Sequence, residues 1–180
     1  MEKLSNEILQ FWFSPENTPK WFIKSDDFDN NIKDRFMSAY NDICDNKTTL
    51  PSTPKEYLAS IILLDQFPRN MFRNTPKSFA TDSKAINTAK EAIKKNAVSE
   101  LKTDETAFLY MPFMHSEDIE EQKTSVKLYE ELGNEENLKF AIAHKDIIEK
   151  FGRFPHRNNI LGRQSTEEEI EFLKLEGSSF

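Results

Sequence analysis

A chain of 180 residues with 15 Phe, four Gly, one Cys and a formal net charge of -7 is long enough for one domain with a buried core and too poor in glycine for a turn-rich β fold. The acidic balance repels a phosphate backbone, so no nucleic-acid partner is expected, and the single Cys44 excludes an intramolecular disulfide and points to a reducing cytoplasm. The amino terminus lacks a cationic start followed by an apolar run, and the apolar runs near 8–13 and 58–64 are too short to span a bilayer, so neither a signal peptide nor a membrane partner is expected.

Ser5 reads as the N-cap of a short helix over 6–13, apolar at Ile8, Leu9, Phe11, Trp12 and Phe13 and broken by Pro15 and Pro19. Trp21, Phe22 and Ile23 make a second aromatic anchor, and the two tryptophans read as pins that hold the amino-terminal arm on the core. From Ser25, the spacing of Phe28, Ile32, Phe36, Ala39, Tyr40 and Ile43 predicts a helix to about Cys44, with Asp26 and Asp27 in the first turn where the helix dipole favours them. Thr53-Pro54-Lys55-Glu56 combines a capping box with proline at the first helical position. The following 57–64 is apolar nearly all round and so predicts a central helix, ending over 65–70 because Pro68 disfavours the helical region for Phe67. Asp65, at the end of that helix, requires a cation, and Arg69 and Arg73 are nearest in sequence.

Ala85, Ile86, Ala89, Ile93 and Ala97 give the helix predicted over 83–96 one narrow face for close packing. Thr103 or Asp104 caps a shorter helix carrying Ala107, Phe108, Leu109 and Met111, which Pro112 stops or kinks. Ser116 is the expected N-cap of a helix with Ile119, Val126, Leu128, Tyr129 and Leu132, ending at Gly133. Asn134 opens the next, whose stripe of Leu138, Ala141, Ile142, Lys145, Ile148 and Phe151 ends at Gly152. FGRFPHRNNILGR, 151–163, follows as an irregular basic island with Arg153, His156, Arg157 and Arg163. Two overlapping capping boxes in 165–169 start a last helix with Ile170, Phe172 and Leu173. About eight helices, no alternating strand pattern and no low-complexity linker describe an all-α chain forming a single domain over 1–180.

LDQFPRNMFR (64–73), PFMHSEDIEEQ (112–122), the segment from His144-Lys145-Asp146-Ile147-Ile148 through FGRFPHRNNILGR, and the closing Gly177-Ser178-Ser179-Phe180 occur in this order. Together they resemble a bacterial family known as domain of unknown function 924, over essentially the whole chain from Leu9-Gln10-Phe11-Trp12-Phe13 onward. The resemblance implies a tetratricopeptide-like, right-handed helical array and brings no activity with it. In the residues themselves only 125–151 looks like one helix-turn-helix unit, and no period near 34 residues recurs, so the repeat architecture rests on the resemblance.

His115, Glu117, His144, Asp146 and His156 are the right donor types for zinc, but no His-Glu-x-x-His pair occurs, and two ligands two apart at a helix entry diverge. No metal is expected, and with no phosphate-cradling glycine loop, no cofactor. Cys44 near an exit loop and Ser116 as a cap offer no nucleophile, whereas a histidine with a carboxylate permits acid-base chemistry. Arg153, His156 and Arg157 beside a helix end, joined by Arg69 or Arg73, suit charge-assisted bonds to a carboxylate or phosphate. A structural reading competes, in which these arginines satisfy helix-terminal carbonyls and pair with Asp65, Glu117, Asp118 or Asp146. The leading expectation is a helical binding module for a small anionic ligand or a peptide, its pocket drawn from Asp65, Arg69, His115, Glu117, His144, Asp146, Arg153, His156 and Arg157. A small acid-base enzyme and a protein-interaction scaffold are the alternatives; the sequence sets neither substrate nor oligomeric state.

Overall fold

The computed structural model describes residues 1–178, so Ser179 and Phe180 of the closing Gly-Ser-Ser-Phe string lie outside the described residues. The helices are α1 Glu2–Trp12, α2 Asp26–Cys44, α3 Pro54–Ile61, α4 Phe67–Met71, α5 Asp82–Lys94, α6 Thr103–Met114, α7 Ile119–Leu132, α8 Glu135–Phe151 and α9 Glu167–Phe172. A π-helical turn, Ile62–Gln66, joins α3 to α4 without a break, so the described residues form eight helical rods and no strand. None of the helices among them is long and apolar enough to cross a membrane.

The helix ends follow their local chemistry. Ser25 Oγ accepts from the Phe28 N–H, Asn134 Oδ1 accepts from the Asn137 N–H, and both Thr53–Glu56 and Thr166–Glu169 close reciprocal capping boxes. Gly133 and Gly152 end α7 and α8 at φ 71° and 67°, the left-handed region in which a side chain is strained. Four sequence expectations are displaced. Ser5 is not the cap of α1 but lies inside it, its hydroxyl donating back to the Met1 carbonyl at 3.1 Å. Asp118, not Ser116, caps α7, because its carboxylate reaches the Glu120 N–H at 2.8 Å. Pro112 sits inside α6 two residues from its end, where its missing donor costs little continuity. Pro68 likewise fails to stop the central helix.

The reason for that last failure is visible at Leu64. Its carbonyl would ordinarily receive the N–H of residue 68, which proline lacks. The chain widens into the π turn, the Phe67 N–H bonds to the Ile62 carbonyl, and the Thr81 hydroxyl donates to the Leu64 carbonyl at 2.6 Å. A side chain thirteen residues beyond the proline thus replaces the lost backbone donor.

Two compact units comprise Met1–Arg73 with Lys77–Pro112, and Asn74–Pro76 with Phe113–Phe180. In the first, α1 and α5 pack on α3, and α2 on α4. Trp12, fully buried, meets the rings of Trp21, Phe28, Phe67 and Phe108 at centroid distances of 5.9, 6.1, 5.7 and 5.5 Å. Each such ring contributes roughly 2–3 kcal/mol through its buried area. Trp21 joins this cluster, its indole donating to the Trp12 carbonyl at 2.9 Å, whereas Phe22 and Ile23 are 76% and 62% exposed. Phe22 still reaches the rings of Trp21 and Phe108, each at 6.4 Å, from this exposed position, so the expected three-residue anchor is buried mainly at its tryptophan.

In the second unit, the connection Gly133–Asn134 folds α8 back along α7. Ile147, Ile148 and Phe154 form its apolar cluster, with Ile119, Phe151 and Phe172 packed around them. Phe154 belongs to the basic island, which therefore carries its own core residue.

Candidate functional site

The turn Pro155–Arg157 follows α8 once Gly152 has reversed the backbone and Phe154 has been buried. Proline at the first position presets that turn, and it aims His156 and Arg157 back across the Phe154 ring. The Arg157 guanidinium lies 4.5 Å from the centre of that ring and donates to the His115 carbonyl at 3.0 Å. His144, projecting from α8, meets Phe154 edge-on at 5.6 Å and the His115 ring at 6.4 Å, and His156 lies 5.6 Å from Phe154. His144, His156 and a buried arginine therefore meet at one phenylalanine, and His115, the third histidine of the chain, joins them through His144 and Arg157.

His144 is 5% exposed, and its Nδ1 faces the Phe140 carbonyl at 2.7 Å. A carbonyl only accepts, so Nδ1 carries the proton and Nε2 presents a lone pair. Burial, reinforced by the positive charge that His115 and Arg157 bring near, pushes the His144 pKa down to about 3. The ring is neutral at physiological pH.

Two carboxylates clasp the flanks of this cluster. Glu117 takes Arg163 Nη1 and Nη2 at 2.7 and 2.9 Å and the Phe154 N–H at 2.8 Å. Arg163 also donates to the Phe154 carbonyl at 3.1 Å and to Asn158 Oδ1 at 2.9 Å, so both backbone groups of Phe154 are satisfied. Burial would raise the Glu117 pKa, but the Arg163 guanidinium and the Phe154 N–H prevail and hold it below the usual carboxylate range. Arg153 is clamped by Glu169 through Nε at 2.6 Å and Nη2 at 2.8 Å, and that guanidinium lowers the Glu169 pKa to about 2. Glu169 also closes the capping box of α9, so one carboxylate serves two segments.

The remaining predicted residues lie elsewhere. Asp146 is mostly exposed and pairs with Lys145 at 3.1 Å. Asp65 and Arg69 belong to the first unit, where Asp65 is fully buried beside Arg69 at 3.3 Å and the guanidinium grips Asp82 at 3.0 and 3.1 Å. Arg73 is likewise held there by Asp29 at 2.7 and 2.8 Å. A groove of about 600 Å³ also opens in the first unit over Phe11 and Phe28. Its cations are engaged, Arg35 with Glu7 at 3.2 Å and Lys20 with Asn17 at 3.2 Å, and none of the sequence-predicted residues lines it. Among the described residues no three His, Cys, Asp or Glu side chains converge as a metal site would need.

Sequence reasoning passed over Glu169, Gln122 and Ser125. Glu169 was hidden by its own cap signature. Gln122 and Ser125 are fully buried and share a stripe with Tyr129, at spacings of three and four. Polar residues at the inward positions of an amphipathic helix were the signal that marked them.

The family model for bacterial proteins of unknown function, DUF924, matches residues 8–177. The chain is also similar to the solved structure of a protein of unknown function from Agrobacterium tumefaciens, at 40% identity and a TM-score of 0.90, over 96% of this chain and 98% of that one. No curated protein matches the chain.

Proposed function

We propose that this chain, which belongs to the family of bacterial proteins of unknown function DUF924, is a binding module whose second unit holds a small anionic ligand at His115, His156 and Arg157, with His144 beside them as a neutral acceptor for a ligand donor. The observation that carries this reading is the convergence of His144, His156 and a buried guanidinium on the Phe154 ring, with His115 beside His144 and its carbonyl bonded to that guanidinium. A guanidinium in a low-dielectric setting attracts an anion far more strongly than one in water. Half-buried His115 and His156 each bring a ring N–H donor, and the Phe154 ring packs against the guanidinium at 4.5 Å.

Acid-base catalysis by His144 is the weaker alternative. A group with a pKa of about 3 takes up a proton poorly at neutral pH, so it makes an inefficient general base. Its neutral, fixed tautomer suits a hydrogen-bonding role instead.

The test is a thermal-shift series with phosphate and small carboxylates on the wild type, Arg157→Ala and His156→Ala, with circular dichroism to check that each variant folds. The expected result is an anion-dependent rise in Tm that Arg157→Ala abolishes and His156→Ala reduces. An equal rise in the folded Arg157→Ala protein, or no rise in the wild type with any anion, would overturn the reading.

A further inference from the structure

Three consecutive backbone carbonyls around His115 are held by only two side chains. Gln122 Nε2 donates to the Met114 and Ser116 carbonyls at 2.7 and 2.6 Å, and Arg157 Nη2 donates to the His115 carbonyl between them at 3.0 Å. Both neighbours of Nε2 are pure acceptors, which fixes the amide orientation, since the flipped form would set oxygen against oxygen. The consequence falls on Oε1. It is an acceptor on a fully buried side chain and has no hydrogen-bond partner.

Ser125 repeats the pattern one turn further along α7. Its side chain is also fully buried, and its hydroxyl is without a partner. Residues three apart on a helix share a face, so the two orphaned groups are neighbours. α7 packs on α8, and counting outward from the Gly133–Asn134 turn puts Gln122 level with Lys145 and Ser125 level with Ile142. His144, on the buried side of α8, comes at the level between them. Buried polar groups are nearly always bonded, so two adjacent exceptions beside the proposed anion site mark a place where a ligand group completes the set.

The chemistry of that group follows from the two atoms. A carbonyl oxygen can only accept, and a hydroxyl can do so as well, so they match a hydrogen-bond donor rather than a second anion. We infer that Gln122 and Ser125 extend the site into a subsite for a small donor, and that the ligand is an α-hydroxy or α-amino carboxylate: its carboxylate meets Arg157, and its hydroxyl donates to Gln122 Oε1 while accepting from Ser125 Oγ, or its ammonium donates to both. This rests on the anion-binding reading above and adds the substrate class. Gln122 also positions His115, because the same amide that reads the donor holds the backbone on both sides of that ring.

Propionate, L-lactate and L-alanine share one carbon skeleton and differ only in hydrogen, hydroxyl or ammonium at the α-carbon, so they separate the two claims. Calorimetric titration of the wild type is expected to show lactate or alanine binding about tenfold more tightly than propionate, the ratio one recovered hydrogen bond gives. Ser125→Ala should narrow that gap, since Gln122 Oε1 remains, leave propionate binding unchanged, and keep the unliganded Tm equal or higher, since the lost hydroxyl bonds to nothing. A wild type that binds the three equally, or a gap that is undiminished in Ser125→Ala, overturns the donor subsite and leaves anion binding standing. Binding of phosphate with none of the three carboxylates has the same effect. A wild type that binds neither phosphate nor any carboxylate overturns both.

Discussion

Acidification provides a direct test of the buried imidazole. In the unfolded chain His144 titrates at its ordinary value of 6.5, whereas in the fold burial holds it at about 3. Between those values the unfolded state binds a proton that the folded state refuses, so stability is full above pH 6.5 and falls as the pH drops toward 3. At pH 5 the gap is about 1.5 pH units, and at about 1.36 kcal/mol per unit this sets a ceiling of about 2 kcal/mol. Some relaxation of the site brings the expected loss to roughly 1–2 kcal/mol. Urea denaturation of the wild type and of His144→Gln at pH 7 and pH 5 isolates it. Glutamine keeps a donor for the Phe140 carbonyl and cannot take up a proton, and the carboxylates titrate alike in both proteins. The wild type should lose about 1–2 kcal/mol more than the variant between the two pH values. Equal losses, or a His144 ring that titrates near 6.5 by NMR, would refute the neutral buried imidazole.

Glu117→Gln should destabilise by about 2–3 kcal/mol, since it removes the charge from three hydrogen bonds and leaves Arg163 with no counterion in this clasp; thermal melts should drop by roughly 5–10 °C, and the double variant Glu117→Gln/Arg163→Met should recover part of the loss. Thr81→Val should cost about 1–2 kcal/mol by orphaning the Leu64 carbonyl, while Thr81→Ser, which retains the hydroxyl, stays near wild type in the same melts.

Most helix boundaries were legible because they rest on local chemistry. The Thr53–Glu56 and Thr166–Glu169 boxes, the Asn134 cap and the stops at Gly133 and Gly152 each involve residues within four of one another, and each formed where the sequence placed it. The misplaced caps at Ser5 and Ser116 were local shifts of a few residues, whereas the larger failures had distant causes. Nothing within the window around Pro68 reveals that Thr81 will supply its missing hydrogen bond, and nothing near Arg153 reveals that its carboxylate comes from Glu169. The same holds for the site. The sequence gathered His115, His144, His156 and Arg157 as candidates by residue type, but Phe154, the ring on which His144, His156 and Arg157 meet, read there as one phenylalanine among fifteen.

A structural clasp and a binding site are compatible in this stretch when the arginines of 151–163 are taken one by one. Arg153 and Arg163 each grip a carboxylate through two nitrogens, and Arg157 places its guanidinium 4.5 Å from the centre of the Phe154 ring and donates to the His115 carbonyl. Glu117 and Arg163 together bind both backbone groups of Phe154, so the clasp orients the very ring around which the histidines and Arg157 are arranged. The clasp is then a precondition of the proposed site. The two kinds of arginine should accordingly separate in experiment: conservative changes at Arg163 lower stability and weaken anion binding only as the fold loosens, while Arg157→Lys, which keeps the charge and loses the planar fork, weakens binding more than stability.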